Sequence, residues 1–340
     1  MEREGKAMNQ TPAPNRLGIE LKLTDRCNFA CFHCMNSDSP KKSRNLDIDL
    51  FLSRFADWRR ASAGLGVRLM EVRMTGGEPL ICAEGVLKIA RSMSAVAVPC
   101  GVNTNGILLS SDLAAKMKGA GIGIVKISMD SLDEDTLRRM RGDHFSVRKL
   151  LNGVRNALEH DLKVILRFTL CRYNLAELMT CFKFAKDMGV YKFQVKPLIP
   201  SGRGRYFDAS LAVESIKNAL RELYREMRAD DDFLEVLCFP ETSCSDARGR
   251  SCASLEKIYV DANMDVTTCN YIAGHGRLGN FAQDSFEEIQ RRRQAMLQKT
   301  TLYNRRPFLS GCPLFETEGG QRQVSRSGEP DAASLAPSLS

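Results

Sequence analysis

The residues with the clearest chemical potential lie in one short run, Cys27-Asn-Phe-Ala-Cys31-Phe-His-Cys34. The spacing C-x3-C-x2-C lets three thiolates converge from a single loop. Thiolates suit zinc and iron–sulfur centres. A structural zinc site takes four protein ligands, usually as two paired knuckles, and only three are local here. A 4Fe–4S cluster held by three cysteines keeps one iron without a protein ligand, where a small molecule can chelate. Thr75-Gly76-Gly77-Glu78-Pro79-Leu80 is a second candidate. Its glycines permit close backbone approach, and a carboxylate such as Glu78 can accept from an ammonium. Cys238, Cys244, Cys252, Cys269 and Cys312 form a later group within 75 residues, which points to another metal centre, with zinc as the competing occupant. Cys82, Cys100, Cys171 and Cys181 sit in apolar surroundings and are expected in the core.

These loops need elements to position them. Short apolar runs at Gly18–Leu23, Leu69–Met74, Val98–Asn103, Ile124–Met129, Val164–Leu170 and Lys192–Lys196 predict strands buried on both faces. Amphipathic stretches at Asp47–Ala63, Ala83–Met93, Ser111–Ala120, Asp133–Met140, Ser146–His160 and Leu175–Met188 predict helices between them. Six βα units in succession imply an α/β fold, a parallel sheet with helices outside. Six is fewer than the eight of a closed barrel, so an open, partial (β/α)6 barrel is expected. Both candidate loops then leave the C-terminal ends of strands, where such sheets build their sites. The rhythm changes near Gly202-Arg203-Gly204. A helix at Leu211–Met227, a hairpin of Lys257–Asp261 and Asp265–Thr268 turning at Ala262-Asn263-Met264, and a helix at Ser285–Leu297 follow. The expected organisation is a flexible segment over 1–17, the barrel over 18–205, a small cysteine-bearing unit over 206–316 and a disordered tail over 317–340.

The formal net charge is +8, and the basic residues are spread along the chain. That reads as a solvated surface, and no nucleic-acid-binding motif is present, so no nucleic-acid partner is expected. No apolar run approaches the roughly 18 residues of a membrane helix, and the polar N-terminus lacks a signal-type apolar region. A cytoplasmic setting with reduced thiols is the expectation for the 12 cysteines.

The triple-cysteine loop, with aromatic His33 before the last cysteine, resembles the signature of radical S-adenosylmethionine (SAM) enzymes. The Gly76-Gly77-Glu78-Pro79 turn after the second predicted strand is similar to that family's GGEP motif. Asn103-Thr104-Asn105-Gly106 resembles its TNG turn, and Ile127-Ser128-Met129-Asp130-Ser131 with Arg141-Gly142 follows in the same order. The resemblance covers roughly 18–205. It implies a 4Fe–4S cluster on Cys27, Cys31 and Cys34, with SAM chelated at the open iron. It nominates His33, Gly76, Gly77, Glu78, Pro79, Asn105, Ser128, Asp130 and Arg141 around SAM, and Leu198, with Arg167 and Lys196, near the pocket mouth. Ser128 and Asp130 have a competing role as caps of the helix at Asp133–Met140.

The later cysteines resemble the twitch or SPASM extensions of radical SAM enzymes, which carry auxiliary 4Fe–4S clusters. The extension's usual hairpin glycine is replaced by Met264. One auxiliary cluster is implied, on Cys252, Cys269 and Cys312 with Cys244 or Cys238 as the fourth ligand. The implied chemistry is reductive cleavage of SAM to a 5′-deoxyadenosyl radical that abstracts hydrogen from a substrate. An electron donor such as flavodoxin or ferredoxin is implied too. Only about 17 residues precede the first strand, too few for the leader-binding domain of peptide modifiers, and the cysteine separations resemble aminocyclitol dehydrogenases. The expectation is therefore a small natural-product intermediate (sugar, aminocyclitol or nucleoside) that is dehydrogenated, epimerised or decarboxylated in antibiotic-type biosynthesis. The alternatives are peptide or protein modification and a non-catalytic Fe–S or zinc protein.

Overall fold

The computed structural model describes residues 16–35, 44–199, 201–207, 211, 213–227, 232–236, 256–268 and 276–303. Six strands, β1 (Arg16–Lys22), β2 (Arg68–Thr75), β3 (Cys100–Thr104), β4 (Ile122–Ser128), β5 (Lys163–Leu170) and β6 (Lys192–Pro197), pair in chain order, all parallel. Helices α1 (Ile48–Gly64), α2 (Ala83–Ala95), α3 (Ser111–Gly119), α4 (Glu134–Arg141), α5 (Val147–Glu159) and α6 (Leu178–Asp187) connect them. This is the expected α/β partial barrel, with strand and helix bounds moved by at most three residues. The expected helix at Leu175–Met188 divides into a 3-10 turn over Leu175–Glu177 followed by α6.

Two features extend the sheet beyond six strands. After α7 (Val213–Arg225), β7 (Leu234–Val236) lies parallel beside β6. On the opposite edge, β8 (Lys257–Val260) lies parallel beside β1 and starts an antiparallel run with β9 (Asp265–Thr267) and β10 (Arg277–Asn280). The expected hairpin is thus β8–β9, and it lengthens the barrel sheet itself. Neither β7 nor β10 is foreseen by the sequence pattern: each is only three or four residues long and, unlike the equally short β8 and β9, neither is marked by a tight turn to its partner strand. Their role is pairing: an open parallel sheet would otherwise present bare edges.

Burial explains the helices. Asp47 caps α1 by accepting from the Leu50 N–H at 3.0 Å, and Phe51, Phe55 and Trp58 fill its inner face. The Trp58 ring lies tilted 4.1 Å from the Phe281 ring and edge-on 5.3 Å from that of Phe286, the first residue of α8 (Phe286–Tyr303). Each of these buried aromatics contributes about 2–3 kcal/mol, so the C-terminal elements are packed firmly onto α1. Cys100, Cys171 and Cys181 are buried as expected, while Cys82 is half-buried at the end of a 3-10 turn over Pro79–Cys82. No helix among the described residues is long and apolar enough to cross a membrane.

The hairpin turn carries the one departure noted in the sequence. Met264 adopts φ +65°, the left-handed region that favours glycine. The Asp261 carboxylate holds this turn by accepting from the Asn263 N–H at 2.8 Å and the Asp265 N–H at 2.9 Å. The Met264 side chain is buried in the main core, which offsets the backbone cost of about 1 kcal/mol.

Candidate functional site

A cavity opens at the C-terminal ends of β1 to β6. Cys27, Cys31 and Cys34 line it from the β1 loop, with Gly76, Gly77 and Glu78 after β2 and Asn103 and Asn105 at the end of β3. Ser128 from β4, Arg141 from α4, Arg167 from β5 and Lys196 and Leu198 from β6 and its exit complete the wall. The alternation of buried strands brings these distant positions together.

All three cysteines are free thiols. Desolvation pushes the Cys27 thiol up to about 11, against a Phe29 N–H that donates to its sulfur at 3.4 Å. Burial also raises Cys31, with the Arg141 guanidinium opposing it. Metal is what turns such thiols into thiolates. Among the described residues, no three His, Cys, Asp or Glu side chains close on a single metal-ion position; the thiols instead rim a shared cavity. An all-thiol donor set from one loop, with space above it, fits a thiolate-held iron–sulfur cluster.

The glycine pair lines the cavity and also lets the turn pack closely against neighbouring backbone. A Cβ at Gly77 would lie 2.2 Å from the Arg26 carbonyl oxygen, and one at Gly76 would lie 2.8 Å from that of Thr24. The Gly77 N–H donates to Thr24 O at 2.7 Å and the Glu78 N–H to Arg26 O at 2.8 Å. The close approach is therefore to the backbone that enters the cysteine loop. Glu78 is 1% exposed and accepts from Leu80 N–H, Thr104 Oγ1 and Asn105 N–H at 3.1, 2.7 and 2.8 Å. Burial raises its pKa despite these donors. Three of its roughly four acceptor positions are used, so one is left for a ligand. Pro79 is buried at the start of the 3-10 turn and does not line the cavity. Asn105 ties the β3 turn to the loop, donating to Asn28 Oδ1 at 2.8 Å.

Asp130 lies behind the wall, fully buried, and joins the cavity's two sides. Its Oδ2 pairs with Arg141 Nη2 and lies 3.3 Å from His33 Nε2; its Oδ1 accepts from the Thr169 N–H at 2.8 Å. Burial would raise this carboxyl, but Arg141, His33 and the Thr169 N–H overcome that and hold it well below the usual carboxylate range. His33 Nδ1 lies 3.1 Å from the Met140 carbonyl oxygen. Asp130 thus positions His33 and Arg141. Neither it nor Ser128 caps α4; Asp133 does, accepting from the Thr136 N–H at 2.8 Å.

Two contributors escape the sequence reading. The Arg203 Nε donates to Cys31 O at 3.0 Å and its N–H to Cys34 O at 2.9 Å. Gly202, at φ +56°, leaves only 2.6 Å between a would-be Cβ and the carbonyl oxygens of Cys34 and Met35. The Gly202-Arg203-Gly204 segment, visible in sequence only as a change of rhythm, clamps the cysteine loop. Asn174 is the other: fully buried, it donates to the Asp130 and Thr169 carbonyl oxygens at 2.8 and 2.9 Å. Cys244, Cys252, Cys269 and Cys312, with Cys238, lie outside the described residues.

A partial parallel barrel with three free thiols on the β1 loop, facing a polar cavity, is the class of scaffold that carries a thiolate-held cluster beside a bound small molecule. Residues 21–185 match the Radical SAM superfamily, so this part of the chain is a radical SAM domain. The chain is 30% identical over 208 residues to a probable GTP 3′,8-cyclase of Sulfurisphaera tokodaii, covering 60% of this chain and 63% of that one. It is 28% identical over 231 residues to the AdoMet-dependent heme synthase of Methanosarcina barkeri, covering 68% and 63%. The chain thus spans 63% of the length of these curated relatives. Among solved structures, Streptococcus suis SuiB bound to S-adenosylmethionine aligns with a TM-score of 0.65 at 12% identity, over 80% of this chain and 65% of that one. Native anSMEcpe with bound AdoMet aligns at 0.62 and 16%, over 80% of each. At these identities the structural matches establish the fold.

Proposed function

We propose that this chain is a radical SAM enzyme acting on a small molecule, with Cys27, Cys31 and Cys34 as the ligands of its SAM-binding 4Fe–4S cluster. The observation that carries the reading is the meeting of three free thiols, the Gly76–Glu78 turn, Ser128 and Arg141 around one cavity. When bound, the cluster and SAM supply one-electron cleavage to a 5′-deoxyadenosyl radical that takes a hydrogen atom from the substrate. Glu78 offers its remaining acceptor position to the SAM ammonium, and the Arg141 guanidinium, fixed by Asp130, offers donors to the SAM carboxylate. Ser128, Asn105 and Leu198 shape the rest of that pocket. The barrel walls keep water from the reacting atoms.

Sequence relatives named for GTP and heme chemistry favour a small-molecule substrate. A sugar or nucleoside fits that reading; nothing narrows it to antibiotic biosynthesis. Cys252, Cys269, Cys312 and Cys244 are the proposed ligands of an auxiliary cluster, and β9 ends two residues before Cys269. A protein electron donor of the flavodoxin or ferredoxin type, and a reducing cytoplasmic setting, belong to the same reading. Electron paramagnetic resonance of the anaerobically reconstituted, dithionite-reduced protein tests it. Adding SAM is expected to shift the g-values of one cluster signal. A spectrum unchanged by saturating SAM overturns the assignment.

A further inference from the structure

The barrel interior beneath the cavity is unusually charged. Alternation sends every second strand residue inward, so Lys126 points the same way as Ser128, Arg73 as Thr75, and Arg167 as Thr169. Such interiors are normally filled by branched apolar side chains. Here Arg73 is 5% and Lys126 8% exposed. Lys126 sits beside Asn103 in the β3–β4 register, and Ser128 beside Arg167 in the β4–β5 register.

Several of these groups already have partners. Glu71 pairs with Arg73 Nη2 and lies 3.1 Å from Lys257 Nζ. Arg167 Nε donates to Gln194 Oε1 at 3.0 Å, and Gln194 Nε2 donates to Glu235 Oε2 at 2.6 Å. Glu20 lies beside Arg73 in the β1–β2 register, half-buried. What is left over is specific. Arg73 Nε and Nη1 and both amide atoms of Asn103 are buried with no hydrogen-bond partner, and Asn103 lines the cavity. Among the described residues, the Lys126 amine has no carboxylate within ion-pair distance. Unpaired buried donors of this kind cost stability and mark sites awaiting a ligand.

We propose that Arg73, Lys126 and Asn103, with Arg167 on the cavity wall, form an anion-recognition floor that takes a phosphate or carboxylate group of the substrate. This rests on the reading above, in which SAM occupies the upper cavity, and names the substrate class as an anionic small molecule. The amine is poised for it. Burial lowers the Lys126 pKa to about 7, with Arg73, Arg167 and Lys257 adding to the shift and Glu235 opposing it. An anion seated among these groups restores the proton and satisfies the idle Arg73 and Asn103 donors.

Competitive labelling of lysines with trace acetic anhydride, read by mass spectrometry from pH 6 to 9, tests this on the reconstituted, SAM-bound enzyme. Inorganic pyrophosphate, succinate and chloride are compared at equal ionic strength. In chloride, Lys126 is expected to titrate near neutrality. Pyrophosphate or succinate is expected to slow its labelling at pH 8 at least tenfold, and the effective arm identifies the group as phosphate or carboxylate. Asn103→Ala and Arg73→Gln should each raise the half-effective anion concentration at least tenfold. SAM retention, measured by equilibrium dialysis on the same samples, reports separately on the reading above. The proposal is overturned if Lys126 does not label in chloride, if neither anion slows it, or if both variants respond as the wild type does.

Discussion

Asp130→Asn probes the buried hub behind the cavity. Asp130 is fully buried and Arg141 is 5% exposed, so their pair is shielded from water. Replacing one partner of such a pair strands the other as an uncompensated charge, at about 3–5 kcal/mol. Asparagine keeps the shape and can still accept from the Thr169 N–H, so the loss is chiefly of charge. Removing both partners, in Asp130→Asn/Arg141→Met, relieves the stranded guanidinium. The double variant should therefore be less destabilised than the sum of the singles, with a coupling of about 2–3 kcal/mol. Anaerobic urea denaturation followed by circular dichroism measures it. The same Asp130→Asn protein should bind SAM more weakly, because Arg141 and His33 lose their fixed positions. A coupling below about 0.5 kcal/mol, or SAM affinity equal to wild type, would refute the hub.

Gly77→Ala drives a methyl into Arg26 O, and Gly202→Ala drives one into the Cys34 and Met35 carbonyls; each should lower iron retention after desalting while leaving the helical circular dichroism signal intact. Glu71 is held at about 2 by Arg73 and Lys257 despite its burial. A depressed carboxyl stabilises the fold above its unfolded value and loses that contribution as pH falls through the folded one, so Glu71 supplies about 3 kcal/mol at pH 7. Relative to Glu71→Gln, the wild type's advantage in urea midpoint should shrink steadily below pH 4.5. Met264→Gly relieves the left-handed backbone but removes a buried side chain; a net loss of about 1–2 kcal/mol is expected by thermal denaturation.

The barrel was legible because its strands are short, branched and apolar, and its helices carry a clear stripe. Strands β7 and β10 were not, because so short a run shows no period without a turn such as the one that marked β8 and β9, and their pairing depends on sheet edges that only the folded chain creates. The cysteines, the glycine turn and Arg141 were legible as local motifs. What the sequence hid was second-layer geometry: Gly77 packing against Arg26 O while it lines the cavity, Asp130 serving His33 and Arg141, and Arg203 reaching back 172 residues to Cys31. Those roles arise from contacts between distant segments, which no spacing encodes.

The central claim is that Cys27, Cys31 and Cys34 hold the cluster at which SAM is cleaved. Its most direct test is 5′-deoxyadenosine formation from SAM and dithionite, with iron counted in parallel. The wild type should form it, and Cys27→Ala/Cys31→Ala/Cys34→Ala should form none while retaining the iron of the proposed auxiliary cluster. Equal formation by the two proteins, or none by the wild type, would contradict the account.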